Sequence, residues 1–315
     1  MRIAILDDYF DAARHLADWS QLAGRADIQV FTEPLGGEDQ AAERLADFEI
    51  IVGMRERTPF PATLIRRLPK LKLLITTGMR NLSFDVDAAR SRGVVVCGTG
   101  GVGNPTSELA VGMMISLMRD IPGQFSSMRQ GGWQTRPGYD LAGKTLGLLG
   151  LGRVGGAVAA VGNAFNMKVI AWSQNLTEQR AAECRAQRVE KDELFRQSDI
   201  LSIHLVLSDR TRGMVGAREL NLMKKTAYLV NTSRGDIIDE AALLKVLQEK
   251  RIAGAAIDVY GVEPLPGDHA FRKLGNVLVT PHLGYVTAEN LGKMYRDAVE
   301  DILAFLKGEP VRTLK

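Results

Sequence analysis

Apolar residues in this chain fall in short runs, separated by stretches where they recur at three- and four-residue spacing. In the first part the runs are residues 2–6, 28–31, 50–53, 71–76 and 94–97, and the helical spacing covers 11–22, 39–46 and 60–67. Short runs rich in Ile, Val and Leu predict strands, and strands alternating with amphipathic helices predict a parallel sheet with helices on both faces. A second series follows at 145–149, 168–172, 200–205, 227–231, 255–258 and 277–280. Strands of this kind with helices between them form the doubly wound pattern.

A helix at 105–118 joins the two series. Asn104 is its expected N-cap and Pro105 sits at the first position, where a missing N–H costs nothing. Leu109, Val111, Met113, Met114, Ile115 and Leu117 make it apolar almost all round, which predicts burial, either as an interdomain core helix or at an interface with a second copy. A homodimer is the expected assembly. Residues 124–140, glycine-rich with Trp133 and Tyr139, read as a loop or arm, and 288–306 as a strong helix that packs back on the first half.

The length of 315 residues suits two domains, and 45% apolar with 24% charged residues is ordinary for a globular protein. Forty basic against 37 acidic residues leave +3, and Arg66, Arg67 and Lys70 form no dense tract, so a nucleic-acid partner is not expected. Cys97 and Cys184 stand alone, against a disulfide scaffold or a metal site and in keeping with a reducing, cytoplasmic compartment. No signal peptide is expected at the start, and no stretch nears the ~20 apolar residues that span a membrane.

The strongest local signal is Gly150-x-Gly152-x-x-Gly155, directly after a predicted strand and opening a helix. Gly150 allows the tight turn, Gly152 lets the backbone approach a pyrophosphate, and Gly155 lets the helix press on the strand. The helix start offers free N–H groups and a partial positive charge to the anion. The second strand runs into Ser173-Gln174-Asn175, with no carboxylate where one would bind a ribose 2′-hydroxyl and repel a 2′-phosphate. The nearest arginine is Arg180, at the turn into the next helix. NAD or NADP is the expected cofactor, with dual or NADP-leaning use.

Three ordered segments then carry chemistry: 229–239 with Arg234, 258–264 with Asp258 and Glu263, and 281–284 with His282. Arg234 follows a strand at the sheet edge where ligands of open sheets bind, and a guanidinium can grip a carboxylate with two parallel hydrogen bonds. A histidine donates and accepts protons near neutral pH, and an adjacent carboxylate orients it. With Ser107-Glu108, residues 143–147 and 198–204, these segments resemble the D-isomer-specific 2-hydroxyacid dehydrogenase family, which includes D-lactate, D-glycerate, hydroxypyruvate and 3-phosphoglycerate dehydrogenases.

The resemblance implies two doubly wound α/β domains: a flavodoxin-like substrate domain, 1–98 plus 286–315, and an inserted Rossmann dinucleotide-binding domain, 99–285. It implies reversible hydride transfer to a small 2-oxo acid, with a D-2-hydroxy acid as product. Arg234 would hold the substrate carboxylate, His282 would act as acid/base and Glu263 would partner it. Thr106, Arg153, Val154, Leu205, Val206, Thr211, Thr232, Ser233 and Asp258 would join Gly150, Gly152, Gly155, Ser173 and Gln174 at the cofactor. His204 is expected to be structural.

In the first domain, loops bearing Met54, Arg55, Gly78, Met79 and Arg80 match those that cover the substrate in the family. Arg80 stands where a second glycine is frequent, and Arg80 or Arg55 would favour an acid with a second anionic group. Tyr285 stands where the family usually has a small residue, and Val206 replaces a common proline. The chain ends at Lys315, short of the regulatory domain of some relatives. A formate- or phosphite-type dehydrogenase, or an NAD(H)-sensing corepressor-like scaffold, is the alternative.

Overall fold

In the computed structural model, which describes residues 1–315, the early apolar runs form β1 (Arg2–Ile5), β2 (Asp27–Val30), β3 (Ile50–Gly53), β4 (Leu73–Thr76) and β5 (Val95–Gly98). They pair in parallel in the order β2-β1-β3-β4-β5. Helices α1 (Ala13–Leu16), α2 (Glu38–Leu45), α3 (Ala62–Arg66) and α4 (Val86–Ser91) connect them. One face of the sheet builds a core from Ala4, Leu6, Phe31, Ile51 and Leu74, with Phe60 and Phe84 edge to face at 5.0 Å.

The expected helix over 11–22 breaks in two. Asp11 adopts φ 49° and α1 ends at Leu16. Asp18 then accepts from the Ser20 amide at 3.1 Å and starts a separate 3-10 turn, Trp19–Leu22. A short polar side chain that bonds its neighbour's backbone competes with the helical ladder.

The second unit begins with α5 (Pro105–Arg119) and α6 (Ile121–Arg129). Its seven-stranded parallel sheet consists of β6 (Thr145–Leu149), β7 (Lys168–Trp172), β8 (Gln187–Arg188), β9 (Ile200–Ile203), β10 (Tyr228–Asn231), β11 (Gly254–Ile257) and β12 (Val277–Val279). The order is β12-β11-β10-β9-β6-β7-β8. The connecting helices are α7 (Arg153–Ala164), α8 (Glu178–Glu183), α9 (Lys191–Gln197), α10 (Ala217–Leu222) and α11 (Glu240–Gln248). Six of the strands match apolar runs. The seventh, β8, is a two-residue edge strand paired to Ile170 and Ala171, too short to leave a run. Leu149, Leu201, Leu229 and Ile257 face one core, and Leu146, Leu148, Val230 and Ala256 face the other with Met113 and Met114 of α5.

Helix α5 is buried on one side only, through Ser107, Ala110, Met113, Met114 and Met118. Asn104 makes no side-chain capping bond; its Oδ1 accepts from Arg153 Nη1 at 2.6 Å instead. The expected loop over 124–140 opens as helix α6: Asp120 ends α5 in the left-handed region at φ 50°, and Pro122 suits the first turn of the next helix.

Helix α12 (Ala288–Leu306) returns to the first unit and packs on α1 and β4, burying Leu291, Met294, Tyr295, Val299 and Ile302. The chain thus divides into Met1–Gly103 with Val286–Lys315, and Asn104–Tyr285. No helix is long and apolar enough to cross a membrane.

Candidate active site

In a parallel sheet every strand ends on the same edge, and ligands of doubly wound folds bind beyond that edge where the strand order reverses. In the second sheet the reversal lies between β6 and β9, and Gly150 immediately follows β6. Gly150 adopts φ 104°, and a Cβ there would lie 2.7 Å from the His204 carbonyl oxygen. A Cβ on Gly155 would lie 2.1 Å from the Gly150 carbonyl oxygen, so α7 can press on the turn only with glycine there. Gly152, the N-cap of α7, has nothing within 4 Å of the Cβ position. Two glycines therefore serve close packing and the third leaves open space at a helix N-terminus, which fits a pyrophosphate.

Other expected cofactor residues divide by their existing bonds. Thr232 Oγ1 is buried and has no protein partner, and is the one orphaned hydroxyl among them. Thr211 Oγ1 donates to the Val206 carbonyl at 2.8 Å and accepts from the Ser208 amide at 2.8 Å, so it shapes its own loop. Ser233 Oγ donates to the Leu205 carbonyl. Ser173 is half-buried after β7, while Gln174 and Val206 are exposed. Arg180 reaches back from α8 to the glycine turn: its Nε donates to the Leu151 carbonyl at 3.2 Å, and its Nη1 pairs with Glu183 at 3.2 Å. His204 is a hydrogen-bonded scaffold residue. Its Nε2 meets Ser202 Oγ at 2.9 Å, and burial pulls its pKa down to about 4, so the ring is neutral.

The reaction-centre candidates lie on the same edge, after β10, β11 and β12. His282 Nδ1 meets Glu263 Oε2 at 2.6 Å. The other carboxylate oxygen, Oε1, accepts the Tyr260 amide at 3.0 Å. An anionic acceptor at Nδ1 selects the tautomer with its proton there and fixes the ring plane, leaving Nε2 for other chemistry. The ring of Tyr285 stands edge-on to the imidazole at 5.5 Å.

His282 itself adopts φ 53°, a conformation uncommon outside glycine. Asp258 explains how it is held. The His282 amide donates to the Asp258 carbonyl at 2.8 Å. The Asp258 carboxylate, wholly buried, accepts from Thr280 Oγ1 at 2.6 Å, the Leu283 amide at 2.7 Å and the Gly284 amide at 2.9 Å. Burial raises the pKa of this acid, while these bonds and the charge of His282 oppose the rise. Thr106 Oγ1 closes the loop by donating to the Gly284 carbonyl at 2.7 Å. Asp258 and Thr106, both expected at the cofactor, thus already bind the histidine loop, and local spacing gave no sign of it.

Arg234 opens a 3-10 turn, Gly235–Ile237. A Cβ on Gly235 would lie 2.2 Å from the Tyr260 backbone, so glycine lets the arginine turn pack on the loop that carries Glu263. Asn231 braces that turn, its Nδ2 donating to the Arg234 carbonyl at 2.9 Å and its Oδ1 accepting the Ser233 amide at 3.0 Å. The three expected residues are therefore brought to one neighbourhood.

In the first unit the Arg55 amide donates to Thr77 Oγ1 at 2.9 Å, and its Nη1 to the Thr77 carbonyl at 3.3 Å. A Cβ on Gly78 would lie 2.1 Å from Arg55 Nη1, so the guanidinium lies across the Gly78 turn. Gly78 donates to Thr99 Oγ1, whereas the Met79 and Arg80 amides make no hydrogen bond. Met54 is buried; Met79 and Arg80 are exposed. Beside this loop, Thr58 Oγ1 donates to Asp7 Oδ2 at 2.7 Å and the Arg57 guanidinium lies 4.7 Å from the centroid of the Tyr9 ring, a cluster that spacing along the chain does not reveal. No group of His, Cys, Asp and Glu is placed to hold a metal.

Residues 111–284 match the family profile described as D-isomer specific 2-hydroxyacid dehydrogenase, NAD binding domain. The chain is 38% identical to a glyoxylate reductase of Aeropyrum pernix over 78% of this chain and 76% of that protein. It is 34% identical to a hydroxypyruvate reductase of Thermotoga maritima over 89% and 92%. The crystal structure of a phosphoglycerate oxidoreductase from Vibrio cholerae superposes with a TM-score of 0.93 at 36% identity, covering 98% of this chain and 99% of that one.

Proposed function

Since the chain belongs to the D-isomer specific 2-hydroxyacid dehydrogenase family, we propose that Arg234, Glu263 and His282 are the centre at which it interconverts a small 2-oxo acid and the D-2-hydroxy acid. The protein is a nicotinamide-dependent oxidoreductase acting on the CH–OH group of 2-hydroxy acids. The observation that carries the assignment of residues is the 2.6 Å contact between His282 Nδ1 and Glu263 Oε2.

In the direction of reduction, Arg234 binds the substrate carboxylate with its in-plane N–H groups and orients the 2-oxo group. When bound, the reduced nicotinamide supplies the hydride, two electrons and one hydrogen, that adds to C2. His282 delivers a proton from Nε2 to the carbonyl oxygen: the N–H bond breaks, an O–H bond forms and the imidazole becomes neutral. Glu263 stabilises the imidazolium before that transfer and holds the ring in line. Oxidation runs the same steps backwards, with His282 as base.

Gly150, Gly152, Gly155 and the first turn of α7, with Arg153 and Val154, would hold the pyrophosphate, and Thr232 Oγ1 would gain a partner on binding. Dual or NADP-leaning use is supported by Ser173 and Gln174 after β7, and by the Arg180 guanidinium at the glycine turn. Met54, Arg55, Gly78, Met79, Arg80 and Tyr285 would contact the acid, and Arg55 or Arg80 would favour a second anionic group. A homodimer is supported by α6, which buries no residue of its own and exposes Ile121, Phe125 and Met128 at helical spacing beside exposed Trp133. The unpaired cysteines suit a reducing compartment such as the cytoplasm.

The test is initial rates of NADH and NADPH oxidation against glyoxylate, hydroxypyruvate, pyruvate, phenylpyruvate and 2-oxoglutarate. Turnover of at least one acid is expected, with KM for NADPH equal to or below that for NADH. Cofactor binding without turnover of any acid would contradict the assignment, and a strong NADH preference would refute the NADP-leaning part.

A further inference from the structure

The strands β10, β11 and β12 are parallel, so their amino ends lie on the sheet edge opposite the one that carries Arg234, Glu263 and His282. At that far edge the second unit holds a cavity of about 180 Å³. The apolar part of its lining includes Leu117 of α5 and Leu278 of β12, both packed against the core that α5 shares with the sheet. The polar part is Tyr228 at the start of β10, Ser116 of α5, and Asp120 and Arg136, which flank α6. None of these side chains has a role in the site described so far.

Tyr228 points to a ligand. The residue is only 8% exposed, yet its hydroxyl has no hydrogen-bond partner in the protein. Folded proteins pair nearly all their buried polar groups, and an unpaired phenol that lines a cavity calls for a partner from outside the chain. Burial raises the pKa of this phenol, so it keeps its proton and can donate. The hydroxyl of Ser116, half-buried on α5, is also unpaired.

Arg136 supplies the charge. Its Nε donates to Asp120 Oδ2 at 2.8 Å, while its two Nη groups have no partner in the protein. The guanidinium is near enough to Tyr228 for its charge to act on the phenol. The ion pair neutralises Asp120, and no other charged side chain lines the cavity. Asn276 is not available, because its Nδ2 donates to the Leu247 carbonyl at 3.1 Å. The free groups are therefore mostly donors, which selects a ligand with an anionic, acceptor-rich head. A carboxylate matches the in-plane N–H groups of a guanidinium. A cavity of about 150 Å³ holds a benzene-sized molecule, so the space here suits a small ring or a short branched chain.

We propose that this cavity is a second, non-catalytic binding site of the protein, and that it takes a small monocarboxylate with an apolar body. The carboxylate accepts hydrogen bonds from the Tyr228 hydroxyl and from an Nη group of Arg136. The apolar body rests on Leu117 and Leu278. The site is separate from the one at which the substrate carboxylate is held.

The test uses fluorobenzoate as the probe, followed by fluorine NMR at saturating NADPH. Wild type is compared with Tyr228→Phe, Arg136→Met and Arg234→Met. The first variant keeps the ring and removes one donor, and the second alters an exposed side chain, so both should fold. The third removes the carboxylate grip proposed for the substrate. Saturable binding is expected in wild type and in Arg234→Met, with Kd raised roughly 10-fold in Tyr228→Phe and in Arg136→Met, the loss of a charged hydrogen bond. The neutral fluorobenzamide should bind roughly 10-fold more weakly than the acid for the same reason. Binding that disappears in Arg234→Met and holds in Tyr228→Phe would place the acid in the substrate site, and equal Kd in all four proteins would make it non-specific; either result overturns the proposal. Wild type without saturable binding would overturn it too: the cavity would then hold only water or be covered by a second copy of the chain, and light scattering would distinguish the two.

Discussion

The histidine loop of the second unit and the loop after β4 of the first, proposed above to meet the substrate, are built on opposite plans. Around His282 nearly every polar atom is already committed. Asp258 takes three donors from residues 280–284, Glu263 takes the Tyr260 amide and the imidazole, and Thr106 fixes Gly284. The loop after β3 in the first unit is tied down in its own way, through Arg55 and Thr77, but in the loop after β4 Met79 and Arg80 are exposed and their amides are unengaged. Preorganised groups cost little reorganisation when charge develops in a transition state. Uncommitted groups can instead follow the shape of a ligand. If the proposed roles hold, rate and selectivity are separable here: substitutions near His282 should act on kcat, and substitutions near Arg80 on KM.

His282→Ala should break the first half of that statement most strongly, lowering kcat by roughly 10²–10⁴-fold. NADPH affinity, read by fluorescence titration, should be unchanged. Asp258→Ala should follow. It leaves the Leu283 and Gly284 amides and the Thr280 hydroxyl without a buried acceptor, so a loss of about 2–4 kcal/mol is expected from chemical denaturation. A kcat loss in the residual folded fraction should accompany it, because the loop that strains His282 into φ 53° relaxes. If stability fell while kcat per folded molecule held, Asp258 would be a core residue only.

His204 offers a milder test of the scaffold beneath this edge. Its ring stays neutral in the folded protein down to about 4, whereas a histidine in an unfolded chain protonates near about 6.5. Between those values the unfolded chain binds the extra proton. The stability due to this group is thus complete above the unfolded pKa and is lost as pH falls towards 4, by on the order of 2 kcal/mol. Denaturation curves for wild type should show this slope and those for His204→Asn should lack it. The smallest effect is expected from Arg80→Ala: a KM increase of about 2–5-fold for 2-oxo acids with a second anion, with kcat unaltered, as suits one solvent-exposed charge. An unchanged KM for mono- and dicarboxylic acids alike would remove Arg80 from the site.

These regions were also unequally legible in the sequence. Strands such as β3, β6 and β7 announce themselves because a strand buried on both faces must be a continuous apolar run. The cradle was readable because its turn, close approach and helix start impose glycine at fixed spacing. Arg234, Glu263 and His282 stand out through the family resemblance of the segments that carry them, and each follows a strand of one parallel sheet. What stayed hidden depends on contacts between residues far apart in the chain. The bonds of Asp258 to residues 280–284 leave no periodic trace, nor does Arg180 reaching the Leu151 carbonyl from the next helix. Helix α6 is hard to see in the sequence because glycines and exposed aromatics mask a nine-residue helix, Ile121–Arg129, with Pro122 in its first turn. The stack of Arg57 on Tyr9 becomes visible only once β1 and β3 are neighbours.

The most direct test of the central claim is to follow the hydrogen itself. A 2-oxo acid that the enzyme accepts is reduced in a single turnover with reduced nicotinamide carrying deuterium at its transferable position, and the product is analysed by mass spectrometry and chiral chromatography. The account predicts one deuterium at C2 of a D-2-hydroxy acid, formed by wild type and nearly abolished in His282→Ala. Product without deuterium at C2, or a His282→Ala enzyme as fast as wild type, would contradict it.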